Sequence, residues 1–224
     1  MLTASYLYML CQAMDLRAIQ DDFLNALEEI VKSELTASYS SFTTDELRIE
    51  LAAKLMREMH HTLDKTTNMD NLDRMNAVAS STSTILLSQF TSSGMAATDV
   101  GAALAAIPDF QARVAARAAE SHEQLRKEFL SGARGPAPAA QLLGKTKVIY
   151  TYIRQTLGIR MHGAENHGGF VNGIGRDDVT IGENISKIYE VPFSLELGFP
   201  QLLTSPFQSI RDGKMEDVVL SIFY

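Results

Sequence analysis

The sequence predicts an all-α protein. Apolar residues recur at threes and fours over most of the chain, cap signals and Gly/Pro breaks delimit those stretches, and strand-like alternation is sparse. With 224 residues, 46% apolar and 21% charged, the chain has material for one large domain or two small ones. A chain of this size buries about 70% of its unfolded surface if it folds alone.

From Ser5 to about Leu35, the residues Leu7, Leu10 and Met14, then Leu16, Ile19, Phe23, Leu27 and Ile30, follow helical spacing with one slip of face. At 1.5 Å per residue this helix is roughly 45 Å long, a length usual in bundles. The polar stretch Thr36 to Phe42 breaks the pattern. Thr43-Thr44-Asp45-Glu46 then reads as a capping box, with the Thr43 hydroxyl and the Glu46 carboxylate satisfying each other's free amides. The helix it opens runs to about Leu63 on a stripe of Leu47, Leu51, Leu55, Met59 and Leu63. Asn68 to Asp73 is turn-like. Leu72, Met75, Ala79, Thr82, Leu86 and Phe90 mark a third helix, weakened by its Ser and Thr content.

Thr91 to Gly94 reads as a loop, and Ala96 to Ile107 as a helix that Pro108 ends. Asp109 is expected to cap a fourth clear helix to about Leu130. Its apolar face is Phe110, Val114, Ala118, Leu125 and Phe129, and Glu123 with Lys127 forms a favourable i,i+4 pair. Gly132 to Pro138 is a linker. Val148, Tyr152 and Leu157 predict a short helix closing at Gly158. Gly163 to Gly175 is expected to be an irregular surface segment.

Charge and composition exclude several classes of function. Acidic residues outnumber basic ones 27 to 20, a net charge of −7, which disfavours a nucleic-acid partner. Cys11 is the only cysteine, so no internal disulfide forms. No cationic segment precedes an apolar run at the N-terminus, and no stretch has the 18 or so apolar residues of a membrane span. The expected location is the cytoplasm.

Isolated motifs name no reaction. Gly144-Lys145-Thr146 ends like a phosphate-binding loop, but Ala139 stands where that loop needs its first glycine, so no amide cradle is expected. His60 and His61 project about 100° apart on a helix and cannot share a metal as an i,i+4 pair does. His162 and His167 bracket Glu165 in glycine-rich chain without the helical zinc spacing. Cys11, among Leu7, Leu10 and Met14, reads as a small buried hydrophobe. The polar residues of the run from Cys11 to Arg17, among them Gln12, Asp15 and Arg17, are candidates for a buried network between helices. No catalytic, cofactor-binding or metal-binding residue is expected in the chain.

Longer runs are more specific. Leu10-Cys11-Gln12-Ala13-Met14-Asp15-Leu16-Arg17-Ala18-Ile19 resembles the Cys-Gln-Ala-Ile-Asp-Leu-Arg helix of the phenylalanine ammonia-lyases. Tyr150-Thr-Tyr-Ile-Arg154, Leu157-Gly158-Ile159, Val179-Thr-Ile-Gly182 and Asn184-Ile-Ser-Lys-Ile-Tyr-Glu190 resemble that family's C-terminal landmarks in the right order. The likeness covers nearly the whole chain, looser between Glu34 and Gln141, and is strongest to the fungal branch.

The resemblance implies an enzyme family that eliminates ammonia from phenylalanine, sometimes tyrosine, to give cinnamate or coumarate. A related aminomutase shares the scaffold. The family's electrophile is a methylidene-imidazolone made from an internal Ala-Ser-Gly, and a tyrosine is its base. No Ala-Ser-Gly occurs here, and Ser92-Ser93-Gly94 has the wrong first residue and lies in the wrong region. The chain is therefore expected to match the C-terminal third, with that chemistry upstream of Met1.

The resemblance makes residues 1–34 the end of a central bundle helix, 35–140 a helical shielding domain over the active-site entrance, and 141–224 a C-terminal return to the core. It implies a homotetramer joined through the long helices. Val191 to Ser209 departs from the family pattern, with Pro192, Pro200 and Pro206 inside it, and reads as a retained intron or gene-model error. If genuine, it is expected to be an exposed, poorly ordered loop. The competing expectation is a free-standing, non-catalytic helical protein that pairs with full-length lyase subunits.

Overall fold

The computed structural model describes residues 2–92, 94, 96–163, 185 and 188, and every regular element among them is helical. The elements are α1 (Leu2–Tyr39), α2 (Asp45–Lys65), α3 (Asn71–Ser80), α4 (Ser83–Ser92), α5 (Ala97–Ala105) and α6 (Ile107–Ser131). A 3-10 turn (Pro138–Gln141), α7 (Lys147–Thr151) and a π turn (Tyr152–Thr156) follow. The glycine-rich segment after Gly163 and the stretch 191–209 lie outside the described residues. The chain divides into two compact units: a terminal unit, Met1–Gln20 with Arg126–Tyr224, and a middle unit, Asp21–Leu125.

The middle unit closes around Phe23, Leu27, Val31 and Leu35 of α1 and Leu51, Leu55, Met59 and Leu63 of α2. Met75 and Val78 of α3, Leu86 and Phe90 of α4, and Phe110, Val114 and Leu125 of α6 complete it. Each fully buried side chain of this kind contributes about 1.5–3 kcal/mol. The same packing carries α1 past its expected end at Leu35. Tyr39 is buried with its ring 4.8 Å from that of Phe90 and 5.7 Å from that of Phe110, which holds the last turn helical against a polar sequence.

Local hydrogen bonding explains three differences from the sequence reading. The cap of α2 is Thr44 rather than Thr43: the Leu47 N–H donates to Thr44 Oγ1 at 3.3 Å, while the Thr43 hydroxyl donates back to the Tyr39 carbonyl at 2.6 Å. The reciprocal box fails because the third residue after Thr44 is Leu47, which has no carboxylate.

The expected third helix is two helices. Ser81, Thr82 and Ser83 donate their hydroxyls to the carbonyls of Val78, Ala79 and Ser80 at 2.7, 2.6 and 2.8 Å, offering the backbone an alternative to continued winding. Leu72 is exposed in the first turn of α3, and Met75, Val78 and Ala79 take the inner face. Finally, α6 begins at Ile107, so Pro108 sits in its first turn, where an amide would lack a partner anyway. Asp109 is a first-turn residue at the positive end of the dipole, not the cap.

In the terminal unit, the buried face of α1 runs through Ala4, Tyr8, Cys11, Asp15, Ala18 and Ile19. The slip of face read from the sequence is absent. Tyr6, Met9, Leu10 and Leu16 belong instead to the outward face, at 60%, 55%, 48% and 52% exposure. The hydrophobic pattern misled because the inner stripe contains a carboxylate while the outer one is apolar. Phe129, Ala139, Tyr150, Ile153, Ile159 and Met161 join the inner stripe in this unit's core.

Candidate functional site

The most specific polar arrangement lies inside the terminal unit, and the π turn builds it. A plain helix is expected to present Val148, Tyr152 and Leu157 inward; Tyr152 and Leu157 do pack half-buried against this unit's core, but Val148 is exposed. Leu157 N–H donates to the Tyr152 carbonyl at 3.0 Å, one residue further than in an α-helix, and Tyr150, Ile153 and Arg154 are the buried residues. Gly158 follows with φ +66°, a backbone that favours glycine, and turns the chain so that the Ile159 carbonyl accepts Arg154 Nη1 at 3.0 Å.

Asp15 of α1 is fully buried against this segment. Its Oδ1 accepts the Tyr150 hydroxyl and its Oδ2 accepts Arg154 Nη2; the ion-pair side chains are 0% and 1% exposed. The Tyr150 oxygen also accepts the Ala139 N–H at 3.1 Å, tying the 3-10 turn to the pair. One turn before Asp15, Gln12 Oε1 accepts Arg154 Nη2 at 3.1 Å and the His162 N–H at 3.3 Å, and Gln12 Nε2 donates to the His162 carbonyl and the Tyr8 hydroxyl at 3.2 Å each. Removing two charges from water costs several kcal/mol per ion, offset only when geometry and additional hydrogen bonds are good.

Electrostatics make these groups clamps rather than reagents. Burial pushes the Asp15 carboxyl above the usual carboxylate range, opposed by the Arg154 charge and by hydrogen bonds from Tyr150 and Arg154. Burial, together with the hydrogen bond to Asp15, pushes the Tyr150 phenol well above its ordinary value, so it donates a hydrogen bond and does not serve as a base. Burial also raises the Cys11 thiol to about 11, which leaves no thiolate at neutral pH.

Of the candidates in the run from Cys11 to Arg17, Gln12 and Asp15 enter the network. Arg17 is exposed and donates to Gln20 Oε1 at 3.3 Å. His60 and His61 lie on the exposed side of α2, and Gly144-Lys145-Thr146 is exposed. His162 takes part through its backbone, whereas Glu165 and His167 lie outside the described residues. Among the described residues, no three His, Cys, Asp or Glu side chains are grouped to hold a metal, and no helix is long and apolar enough to cross a membrane. The partners missed in the sequence are Tyr150 and Arg154. The signal was available: a carboxylate on a buried stripe requires a cation, and the run Tyr150 to Arg154 puts a hydroxyl and a guanidinium four residues apart in an apolar setting.

An all-helical chain with this buried clasp has close relatives. No family model matches the sequence. Curated sequences do. A phenylalanine ammonia-lyase of Strobilurus tenacellus is 46% identical over 223 residues, covering 100% of this chain and 28% of the relative. A phenylalanine ammonia-lyase of Pleurotus ostreatus is 42% identical over 226 residues, with the same coverage of 100% and 28%. In three dimensions, a crystal structure of phenylalanine ammonia-lyase from the yeast Rhodosporidium toruloides matches with a TM-score of 0.71 at 26% identity, over 98% of this chain and 29% of that one.

The described helices thus share the fold of part of the yeast lyase structure. The chain matches fungal phenylalanine ammonia-lyases from end to end, as a piece of a member of that family would, and spans about 28% of the length of the relatives it matches.

Proposed function

We propose that this chain is the C-terminal part of a phenylalanine ammonia-lyase and supplies scaffold and lid rather than chemistry. The whole enzyme would deaminate L-phenylalanine to trans-cinnamate and ammonia in the cytoplasm. Residues 1–34 would serve as the end of a central bundle helix, 35–140 as the shielding domain, and 141–224 as the return to the core. The observation that carries this reading is end-to-end similarity at 46% identity to 28% of a lyase.

The chemistry of the missing group supports the same reading. A methylidene-imidazolone needs an Ala-Ser-Gly to condense, and none occurs in the 224 residues, so this chain's own residues do not fit that group. The buried phenol of Tyr150 is committed to Asp15 and Ala139. The chain alone is therefore inactive in this reading.

Partners would come through the outward face of α1, where Tyr6, Met9, Leu10 and Leu16 form an exposed apolar stripe at helical spacing. Further lyase subunits, as copies of this chain or full-length proteins, are the proposed occupants. The same stripe favours the second reading, a non-catalytic protein that joins full-length subunits.

Two measurements test these readings. Purified chain mixed with L-phenylalanine should give no cinnamate absorbance above buffer, and turnover would overturn the assignment. By light scattering, the chain should self-associate or bind a full-length fungal lyase, and Leu10→Glu with Leu16→Glu should abolish this. A wild-type chain that stays monomeric and ignores the full-length enzyme would refute the interface.

A further inference from the structure

The middle unit carries an ionic cluster at its edge to which the lyase reading assigns no role. Arg113 and Arg117 stand one turn apart on α6, a spacing at which like charges repel. Glu34 of α1, with 8% of its side chain exposed, joins them: its Oε2 accepts Arg113 Nε at 2.8 Å and its Oε1 accepts Arg117 Nη1 at 2.7 Å. One buried carboxylate thus holds two guanidiniums side by side and neutralises only one of them.

Donors are in surplus around this carboxylate. Ser38 Oγ accepts Arg113 Nη2 at 2.6 Å and Ser33 Oγ accepts Arg117 Nη1 at 3.3 Å, so each hydroxyl keeps its own proton to donate. Among the described residues, Arg113 Nη1 and the Nε and Nη2 of Arg117 have no acceptor, and no carboxylate besides Glu34 pairs with either arginine. Both arginine side chains are nearly half exposed, so these donors are open to a ligand. The Nε and Nη2 edge of a guanidinium is the fork that grips an oxyanion through two parallel hydrogen bonds. Arg134, by contrast, meets Glu128 at 2.9 Å, one cation against one carboxylate.

We propose that this cluster is a binding site for a tetrahedral oxyanion, a phosphate or sulfate group, held by Arg113, Arg117 and the hydroxyls of Ser33 and Ser38. One uncompensated positive charge supplies the attraction. A planar carboxylate has oxygens for a single fork, whereas a phosphate or sulfate offers three or four and accepts from both arginines and a hydroxyl together. Glu34 already fixes the two guanidiniums, so less side-chain freedom is lost on binding than at a solitary surface arginine.

The full 224-residue chain titrated at constant ionic strength tests the site, with the arginine Nε–H resonances followed by NMR. The probes are sulfate, inorganic phosphate and methyl phosphate, and acetate is the planar control. Saturable one-to-one shifts of the Arg113 and Arg117 resonances are expected with sulfate and phosphate, with a Kd on the order of millimolar, and acetate should bind about tenfold more weakly or worse. Methyl phosphate binding as well as inorganic phosphate would make the source a phosphorylated molecule, and weaker binding would make it the free ion. Arg117→Gln should weaken sulfate binding about tenfold or more. Ser33→Ala, which keeps both arginines, should weaken it about threefold, and Arg134→Gln should leave it unchanged. Ser33 and Arg117 are exposed, so the circular dichroism spectrum should stay that of wild type; if Arg117→Gln loses it, Ser33→Ala decides by the same comparison. Shifts that never saturate, acetate binding as tightly as sulfate, sulfate binding untouched by Arg117→Gln and Ser33→Ala, or an equal loss with Arg134→Gln would each overturn the proposal.

Discussion

The two units of this chain are ordered by different physics. The interior of the middle unit is mostly hydrocarbon, with its charges at the edge: Glu34 meets Arg113 Nε at 2.8 Å and Arg117 Nη1 at 2.7 Å, and both arginines are nearly half exposed. The terminal unit instead places Asp15 and Arg154, wholly buried, in the middle of its core. Hydrocarbon packing accepts many sequences of the right volume, whereas a buried network requires particular atoms at particular places. The contrast teaches where each unit is vulnerable.

The largest effect should come from breaking the clasp. Arg154→Met leaves the Asp15 carboxylate buried without its cation and should cost about 3–5 kcal/mol. Urea unfolding followed by circular dichroism reads this directly. Adding Asp15→Asn to Arg154→Met should recover part of the loss, because the stranded charge is then gone. If Arg154→Met stayed within about 1 kcal/mol of wild type, the terminal unit would be no more dependent on charge than the middle one.

A single substitution type, Tyr to Phe, should act with opposite consequences in the two units. At Tyr150 it removes the hydroxyl that donates to Asp15 and accepts from Ala139, leaving two buried groups unpaired, and should cost about 2 kcal/mol. At Tyr39 the hydroxyl is itself buried without a partner, and burial holds its pKa up at about 12. Tyr39→Phe deletes an unpaid desolvation and should be neutral or stabilise by up to about 1 kcal/mol. Equal losses at both positions would erase the distinction.

The difference also explains what the sequence made legible. The middle unit follows a simple periodic code, so α2 and α6 and their stripes from Leu51 to Leu63 and from Phe110 to Leu125 could be read directly. Its errors were local, at Thr44 and at the Ser81 to Ser83 break, where hydroxyls competed with the helix. The terminal unit departs from that code. Its inner stripe contains Asp15, its outer stripe contains Leu10 and Leu16, and a π turn shifts Arg154 onto the buried face. Periodicity finds hydrocarbon faces, and it is blind to a core whose key member is an ion pair. The run from Cys11 to Arg17 marked the place, but Tyr150 and Arg154 lie more than a hundred residues away, and only a buried carboxylate's need for a cation, not periodicity, points to the pairing.

The smallest expected effect concerns pH and has opposite signs in the two units. Burial raises the Glu34 carboxyl, but hydrogen bonds and charge from Arg113 and Arg117 outweigh it and hold the group below the usual carboxylate range. A lowered pKa in the folded state means that the stabilisation is complete above the unfolded value, about 4.3, and is lost as pH falls through the folded one. With its partners so exposed, this amounts to about 1 kcal/mol or less. The stability gap between wild type and Glu34→Gln should therefore be open at about pH 6 and shrink as pH falls below the unfolded value of about 4.3. Asp15 is raised, so its linkage runs the other way: folding binds the proton more tightly, and wild type loses stability relative to Asp15→Asn as pH rises. Urea midpoints of the three proteins across this range should give gaps of opposite slope. Parallel slopes would mean that Asp15 and Glu34 sit in equivalent electrostatic settings, against the geometry of the two units.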